Sequence, residues 1–296
     1  MNDHLAPWAA GQEATRPRLR GRRRCDVAII GAGLTGLSTA LELLTLAPES
    51  RVVVVEADRV AAGASGRGTG LLGPRIGPSL QVARRRYGDE TARAAHLWSV
   101  AAVRHVLDLV ERHRIACDLT PGGQLVVAAD ELTAAHQYRE HQAALVLGLS
   151  PDHVEFVDGD LLPGYAERYG SGLRYGPAAT LDPAALTEQL ARTGEQLGLV
   201  VHENSQVRRV RQGLLNTVVT DSGELVADHV VVTVNAYGDS LAVAPSGVLA
   251  VRAQAGVTQK LSESQLAELA GLSEEPLIEH GEVAPYFRLT PDGLGW

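Results

Sequence analysis

The sequence has 296 residues, of which 45% are hydrophobic and 21% charged, and its formal net charge is −8. This composition is normal for a globular protein of one large domain or two ordinary ones, and the negative charge argues against nucleic acid as a partner. The two cysteines, Cys25 and Cys117, are far apart, so neither a disulfide framework nor a metal site is predicted. The first residues lack a signal-peptide pattern and no apolar run is long enough for a membrane span, which predicts a cytoplasmic protein without membrane contacts.

A basic run precedes the first predicted strand. We interpret residues 1–23 as a solvated N-terminal arm; contact with an anion or a membrane surface is the less favoured alternative, because no amphipathic pattern accompanies the charges. The run consists of Arg16, Arg18, Arg20, Arg22, Arg23 and Arg24.

The segment from Val27 to Leu44 carries a strand–turn–helix pattern. Residues 27–30 are continuously apolar, which is typical of a buried parallel strand. The following GAGLTG sequence, residues 31–36, matches the pattern G-x-G-x-x-G and opens a run of leucines at helical spacing that Pro48 stops. The context indicates a dinucleotide-binding turn rather than an ordinary glycine-rich loop.

Each glycine of this turn has a physical role. Gly31 permits the tight turn, Gly33 lets a pyrophosphate approach the backbone, and Gly36 lets the helix lie close to the strand. The phosphates would lie at the helix N-terminus, where N–H groups and the helix dipole favour anions. Glu56 ends a second predicted strand, residues 51–55, and suits the hydroxyls of an unphosphorylated ribose, which indicates FAD or NAD rather than NADP.

A second glycine-dense segment distinguishes FAD from NAD. An NAD dehydrogenase would continue with further strand–helix units, whereas residues 63–73 read GASGRGTGLLG. This segment is either a flexible surface loop or a backbone that wraps a flat ligand, with Arg67 in its middle.

At this point the sequence resembles a known family, the D-amino-acid oxidase and glycine oxidase (DAO) group of FAD-dependent oxidoreductases. Its amine-oxidising branch includes sarcosine oxidase and γ-glutamylputrescine oxidase. The resemblance rests on four features in a specific order: the fingerprint that ends at Glu56, GASGRGTG at 63–70, HENSQVRRV at 202–210 and ADHVVVTVNAYG at 227–238.

The resemblance implies that FAD is bound in an extended form. The GASGRGTG loop would lie near the pyrophosphate and the flavin ring, and the backbone of Val207 would lie near the adenine. The loop departs from the common family pattern at Gly68 and Thr69, and it contains no His or Cys for covalent attachment of the flavin. The predicted FAD-binding residues are Gly31, Ala32, Gly33, Leu34, Thr35, Gly36, Glu56, Ala57, Gly63, Ser65, Gly66, Arg67, Gly68, Thr69 and Val207.

Further elements follow from periodicity and turn signals. Helices are predicted over 89–114, with a buried stripe that includes Ala95, Trp98 and Ala102, over about 131–147, and over 183–197 behind an Asp182-Pro183 cap. Strands are predicted over 124–128, from 199, and as short strands over 207–234.

The predicted fold is α/β, with a Rossmann-like FAD-binding domain of the glutathione-reductase type and an interleaved, mainly β substrate domain. The expected boundaries are 24–115 and 173–240 for the FAD-binding domain, and 116–172 and 241–296 for the substrate domain.

The function that this pattern predicts is FAD-dependent oxidation of a C–N bond in an amine or amino acid, by hydride transfer to flavin N5. Arg288 and Tyr286 are the candidates to hold a substrate carboxylate, with a paired surface strand as the alternative for both. Two other functions stay open: an NAD-linked flavin reductase, for which a second G-x-G-x-x-G is missing, and a catalytically impaired FAD-binding relic.

The C-terminal segment YFRLTPDGLGW carries a hairpin-turn signal at Pro291-Asp292-Gly293. Only three residues follow this turn, too few for a strand of mean length. We therefore expect a family member that is truncated at its C-terminus, with impaired turnover.

Overall fold

The computed structural model describes residue 8, residues 16–241, residue 251, and residues 254–281 and 284–295. The chain forms two compact units. The first unit contains Met1–Gly68, Ile115–Cys117 and Asp182–Gln254, and the second contains Thr69–Arg114, Asp118–Leu181 and Ala255–Trp296.

The strands of the described residues are β1 (Gly21–Ile30), β2 (Val52–Val55), β3 (Leu71–Leu72), β4 (Thr120–Ala128), β5 (Val154–Asp158), β6 (Ser171–Thr180), β7 (Val200–His202), β8 (Val207–Arg211), β9 (Asn216–Thr220), β10 (Gly223–Val232), β11 (Leu277–Glu279) and β12 (Tyr286–Phe287). The helices are α1 (Leu34–Leu46), α2 (Leu80–Tyr87), α3 (Asp89–His113), α4 (Glu131–Val146), α5 (Pro183–Gln196) and α6 (Glu263–Glu268). None of the helices described is long and apolar enough to cross a membrane.

The first unit is built on a six-stranded sheet with the order β7-β2-β1-β10-β9-β8. The pairs β7–β2, β2–β1 and β1–β10 are parallel, and β9 and β8 extend the sheet by antiparallel pairing. Every residue of β2, Val52–Val55, is buried, as expected for a parallel strand that is covered on both faces. The predicted Rossmann-like arrangement of strand, helix and strand is therefore confirmed.

Helices α1 and α5 of the first unit pack against each other. The predicted cap of α5 is confirmed, because the Asp182 carboxylate accepts hydrogen bonds from the N–H groups of Ala184 (2.8 Å) and Ala185 (2.9 Å). Gly198, with a φ of +99°, follows the end of this helix, a position that favours glycine.

The second unit contains a six-stranded sheet with the order β12-β11-β4-β6-β3, in which β5 also pairs with β6. Successive side chains of β4 point to opposite faces of the sheet and contribute to two hydrophobic clusters. Val126 packs with residues of α2, α3 and α4, whereas Leu125 and Val127 pack in a second cluster with Leu277 and Leu289. The sheet is thus covered on both faces.

The boundaries of the units differ from the expected domain boundaries. Residues 69–114, with α2 and α3, and residues 173–181 belong to the second unit rather than to the first. The reason is pairing and packing: β6 pairs with β3, β4 and β5, and α3 packs on β6. Strand β4 also begins at Thr120 rather than at residue 124, with an irregularity in its pairing between Gly122 and Gln124.

The predicted buried stripe of α3 is wrong. Trp98 is 80% exposed, and Ala95 and Ala102 are also exposed. The buried face instead contains Ala92, His96, Ser99, Val100, Val103 and Val110. The predicted and the observed buried faces of α3 both have helical periodicity. Small and polar residues contribute to the observed face, and the pattern of apolar residues therefore indicated a different face of the helix.

The interpretation of residues 1–23 as a solvated arm needs correction. Strand β1 already begins at Gly21, so the last three arginines of the run are part of the sheet, although their side chains are exposed. Arg16 has a side chain that is only 8% exposed and is paired with glutamates. Residues 1–7 and 9–15 lie outside the described residues.

The predicted C-terminal turn is confirmed. Leu289 and Gly295 form an antiparallel bridge, and Gly293 between them has a φ of +81°. The N–H of Thr290 donates to the carbonyl oxygen of Leu294 at 2.9 Å, which closes the turn.

His96 generates a prediction about pH. Its side chain is buried, and burial together with the nearby His153 ring, 5.8 Å away between centroids, lowers the pKa of His96 to about 4. An unfolded histidine has a pKa near 6.5. Just below that pH, the unfolded chain therefore binds a proton at His96, whereas His96 of the folded chain stays neutral. We expect the free energy of unfolding to fall, by at most about 3 kcal/mol, as pH decreases from about 6.5 to about 4.

Urea unfolding at several pH values tests this expectation. The variant His96→Phe should lose part of the decrease between these pH values, whereas His105→Phe, an exposed position on the same helix, should keep the parent's pH dependence. Identical pH profiles for His96→Phe and the parent would contradict the assignment.

Candidate cofactor site

The turn between β1 and α1 is held by backbone hydrogen bonds and by close packing. Gly31 has a φ of +106°, a conformation that side chains rarely adopt, and its N–H donates to the carbonyl oxygen of Val55 at 2.9 Å. A Cβ at Gly36 would overlap the carbonyl oxygen of Gly31 and would lie 2.7 Å from Oγ1 of Thr233. Only glycine at position 36 lets α1 begin this close to the end of β1.

The N-terminus of α1 lacks a side-chain cap from its own N-cap residue, Gly33. The first N–H groups of a helix lack partners within the helix and carry the positive end of the dipole. Thr35, in the first turn, is exposed. These are the properties of an anion-binding helix terminus.

The GASGRG loop contacts this turn through Ser65. The loop forms a short 3₁₀ turn, Ala64–Gly66, and Oγ of Ser65 accepts a hydrogen bond from the N–H of Leu34 at 3.0 Å. A Cβ at Gly33 would lie 2.7 Å from the same oxygen. The two glycine-rich segments, joined through residues 31 positions apart, therefore lie against each other in the first unit.

Glu56 lies at the end of β2 and its carboxylate is fixed by two backbone groups. Oε2 accepts from the N–H of Ala32 at 2.9 Å, and Oε1 accepts from the N–H of Asp58 at 3.0 Å. A carboxylate oxygen has more than one lone pair, so both oxygens keep acceptor capacity for hydroxyl groups. Glu56 is half-buried, which leaves it accessible to a ligand.

The other predicted FAD-binding residues have different environments. Ala57, Gly63 and Arg67 are exposed, and Gly66 is buried. Val207, at the start of β8, is 8% exposed. The carbonyl oxygen of Gly68 accepts a hydrogen bond from Nε1 of Trp8 at 3.2 Å, whereas Thr69 belongs to the second unit.

These residues fit a dinucleotide such as FAD. Glycine stands at the N-cap of α1, where an added Cβ would lie 2.7 Å from Oγ of Ser65. The Glu56 carboxylate, which two backbone N–H groups orient, is the kind of acceptor that ribose hydroxyls need. Within the described residues, no group of His, Cys, Asp and Glu side chains is arranged to hold a metal ion.

The candidate catalytic residues Arg288 and Tyr286 belong to the second unit. Arg288 is 3% exposed, and its Nη1 donates to the carbonyl oxygens of Gly70 (2.9 Å) and Leu181 (3.0 Å). Tyr286 is 49% exposed and lies on β12, which pairs with β11. The structure thus fixes the guanidinium and leaves the phenol at the surface.

Sequence reasoning missed the roles of Glu203 and Thr233. Glu203 is 1% exposed and accepts a hydrogen bond from the N–H of Val60 at 2.8 Å. Oγ1 of Thr233 donates to the carbonyl oxygen of Ile30 at 2.8 Å. Both lie in segments that carried the resemblance, HENSQVRRV and ADHVVVTVNAYG, but a sequence pattern does not show which side chain turns inward.

Comparison with known proteins identifies the family. A family model described as "DAO: FAD dependent oxidoreductase" matches residues 26–295, which is most of the chain. The chain belongs to this family. It is an FAD-dependent oxidoreductase, and the prediction of FAD as its cofactor is confirmed. The NAD-linked alternative is not supported.

Two curated relatives have the same level of similarity. The γ-glutamylputrescine oxidoreductase of Escherichia coli (strain K12) is 29% identical over 303 residues, which cover 99% of this chain and 69% of the relative. The probable oxidoreductase OrdL of Rhizobium meliloti (strain 1021) is also 29% identical, over 98% of this chain and 68% of the relative.

Solved structures confirm the fold class. A glycine oxidase from Geobacillus kaustophilus has a TM-score of 0.69 at 20% identity, over 92% of this chain and 70% of that one. An L-amino acid deaminase from Proteus vulgaris has a TM-score of 0.70 at 18% identity, over 98% and 71%. These likenesses show the α/β FAD-binding fold that the sequence predicted.

The position of Glu56 generates a prediction about cofactor affinity. Glu56→Ala removes a charged acceptor, and hydrogen bonds to charged groups contribute about 1.5–3 kcal/mol, so FAD binding should weaken by about that amount. Titration of the apoprotein with FAD measures it. Asp58→Ala is the matched control, since this neighbouring acid is exposed. Equal affinities for Glu56→Ala and the parent would refute the assignment.

Gly33 generates a second prediction. Gly33→Val places a branched side chain at the N-cap of α1, where its Cβ would lie 2.7 Å from Oγ of Ser65. We expect a folded protein that purifies without flavin. The absorbance of oxidised flavin in the purified protein measures how much flavin is retained. Gly148→Ala is the control for backbone strain: an added Cβ there meets no neighbour, but the φ of +63° is strained for alanine. This control should retain flavin like the parent. Full retention of flavin in Gly33→Val would contradict the role given to this glycine.

Proposed function

We propose that this protein oxidises a C–N bond in an amine or amino acid, with FAD as the hydride acceptor. The observation that carries the proposal is the combination of family membership with a dinucleotide cradle made by the Gly31–Gly36 turn and Glu56. The names of the relatives support the substrate class, since they refer to γ-glutamylputrescine, glycine and L-amino acids.

The reaction requires little proton transfer from the protein. Bound FAD supplies the acceptor, at N5, for two electrons and a hydrogen nucleus. The C–H bond beside the nitrogen breaks, its hydrogen leaves as hydride, and the nitrogen lone pair forms a C=N bond. A neutral amine needs no dedicated base for this step, and the work of the chain is to bind and orient the substrate.

Arg288 is proposed to hold the carboxylate of an amino-acid substrate, with Tyr286 as a second hydrogen-bonding group. The support for Arg288 is a buried guanidinium that two carbonyl oxygens already orient through Nη1. Guanidinium presents five N–H donors in a planar fork that matches a carboxylate. Tyr286 offers a hydroxyl, but its position is less fixed by packing than that of Arg288, since half of the residue is exposed.

A substrate comparison tests the role of Arg288. Arg288→Lys keeps the charge but loses the fork, so KM for an amino acid should rise at least about tenfold, while KM for an amine without a carboxylate should stay unchanged. Arg168→Lys, at an arginine of the same unit whose side chain is 69% exposed, is the control. Equal changes in KM for both substrates would show that Arg288 only supports the fold.

The reaction class is tested by anaerobic mixing with candidate substrates. The FAD-loaded protein should lose the absorbance of oxidised flavin with an amine or amino acid, and the product should be an imine or its hydrolysis products. A 2-hydroxy acid and glycerol phosphate are the comparison substrates, because another enzyme of similar fold is named as an L-α-glycerophosphate oxidase. Bleaching by these alcohols alone would overturn the proposal of C–N oxidation.

A further inference from the structure

Arg16 lies at the centre of a cluster of three glutamates in the first unit. Its guanidinium pairs with Glu195 (Nε to Oε1, 2.6 Å), Glu188 (Nη2 to Oε1, 3.0 Å) and Glu203 (Nη1 to Oε1, 3.3 Å). The side chain of Arg16 is 8% exposed and that of Glu203 is 2% exposed. Burial opposes its charge, but hydrogen bonds and attraction from Glu195 and Glu188 raise the pKa of Arg16 above its ordinary value. The pair of Arg16 and Glu203 is therefore buried, whereas the side chains of Glu188 (22% exposed) and Glu195 (34% exposed) reach partly to solvent.

Glu203 connects this cluster to the segment that carries Glu56. While it accepts from Arg16, its Oε1 also accepts from the N–H of Val60 at 2.8 Å. Backbone hydrogen bonds also join the same two segments, 56–60 and 202–205. They run from Glu56 N to His202 O (2.8 Å), from Asn204 N to Asp58 O (2.7 Å) and from Ser205 N to Glu56 O (2.7 Å).

The chain around Arg16 reinforces the same contact. The backbone N–H of Arg16 donates to Oε2 of Glu203 at 2.9 Å, and Nδ1 of His202 lies 2.8 Å from the carbonyl oxygen of Pro17. The N–H of Leu19 donates to Oγ of Ser205 at 2.9 Å. Residues 16–19 therefore lie along residues 202–205, whose backbone is hydrogen-bonded to that of Glu56.

Removal of the Arg16 guanidinium would take a positive charge away from the buried Glu203 carboxylate, which it contacts at 3.3 Å. Loss of the cation from a buried ion pair is strongly unfavourable, so the Glu203 side chain would move from its present position. Such a shift weakens its hydrogen bond to the N–H of Val60, and the backbone that orients the Glu56 carboxylate becomes less fixed. The cluster thus links a residue of the N-terminal segment to the adenosine side of the cradle.

We propose that Arg16 is a positioning residue for the ADP half of FAD, acting through Glu203 and the backbone of residues 56–60. Arg16 does not touch the cofactor in this account. Arg16 holds the Glu203 carboxylate, which holds the backbone of residues 56–60. The Glu56 carboxylate is thereby kept in the orientation that accepts hydrogen bonds from the ribose hydroxyls. This inference rests on the ribose contact proposed for Glu56.

Binding of ADP to the apoprotein tests the proposal without any turnover. Arg16→Gln should weaken ADP binding about tenfold, the range of coupling between residues in one network. Arg192→Gln is the matched control, since Arg192 pairs with the same Glu188 (3.0 Å) from a side chain that is 61% exposed. The control should bind ADP like the parent. An unchanged ADP affinity in a folded Arg16→Gln protein would overturn the proposal.

A double-mutant cycle separates positioning from general stability. In a Glu56→Ala background Arg16→Gln should change ADP affinity by less than about twofold, because the group it positions is gone. The same tenfold loss in both backgrounds would overturn the route through Glu56. If Glu56→Ala alone leaves ADP binding intact, the ribose assignment fails independently, and the Arg16→Gln result in the parent background decides the role of Arg16.

A conservative variant covers the case in which Arg16→Gln does not fold. Arg16→Lys retains the cation beside Glu203, but an ammonium cannot match three carboxylates as the planar fork does. We expect a folded protein whose ADP affinity is about threefold lower. Parent-like ADP affinity in Arg16→Lys, at a temperature where both proteins are folded, would contradict the proposal.

Discussion

Helix α1 begins almost in contact with the end of β1, and the features of the candidate FAD site depend on this close approach. Glycine at position 36 permits it, because any Cβ there would overlap the Gly31 carbonyl oxygen. The approach directs the N–H groups of the first helical turn toward the carboxyl edge of the parallel strands. It also brings Ala32 within reach of Glu56, whose carboxylate closes the turn from the neighbouring strand at 2.9 Å.

Two layers of interactions support this arrangement. Ser65 and Glu56 contact the turn directly, through the N–H groups of Leu34 and Ala32. Behind them, the buried Glu203 carboxylate holds the backbone of Val60 and is itself held by Arg16. A dinucleotide phosphate and its ribose would therefore meet groups that are oriented before binding, which reduces the entropic cost of association.

The sequence predicted most elements of the first unit, because its signals are local. The G-x-G-x-x-G turn, the β2 strand that ends at Glu56 and the Asp182 cap each depend on a few neighbouring residues. The assignments that failed depend on long-range contacts. The buried face of α3 includes His96 and Ser99, which apolar periodicity does not select, and residues 69–114 group with the second unit through packing on β6. Arg16 looked like one more exposed arginine, since its three glutamates follow it by more than 170 positions.

A crystal structure of the protein with FAD tests the central claim most directly. The account predicts that the pyrophosphate oxygens accept hydrogen bonds from backbone N–H groups at the N-terminus of α1, and that a ribose hydroxyl donates to Glu56 while its bonds from Ala32 and Asp58 persist. FAD bound with its adenosine away from Glu56, or with its pyrophosphate away from the Gly31–Gly36 turn, would contradict it.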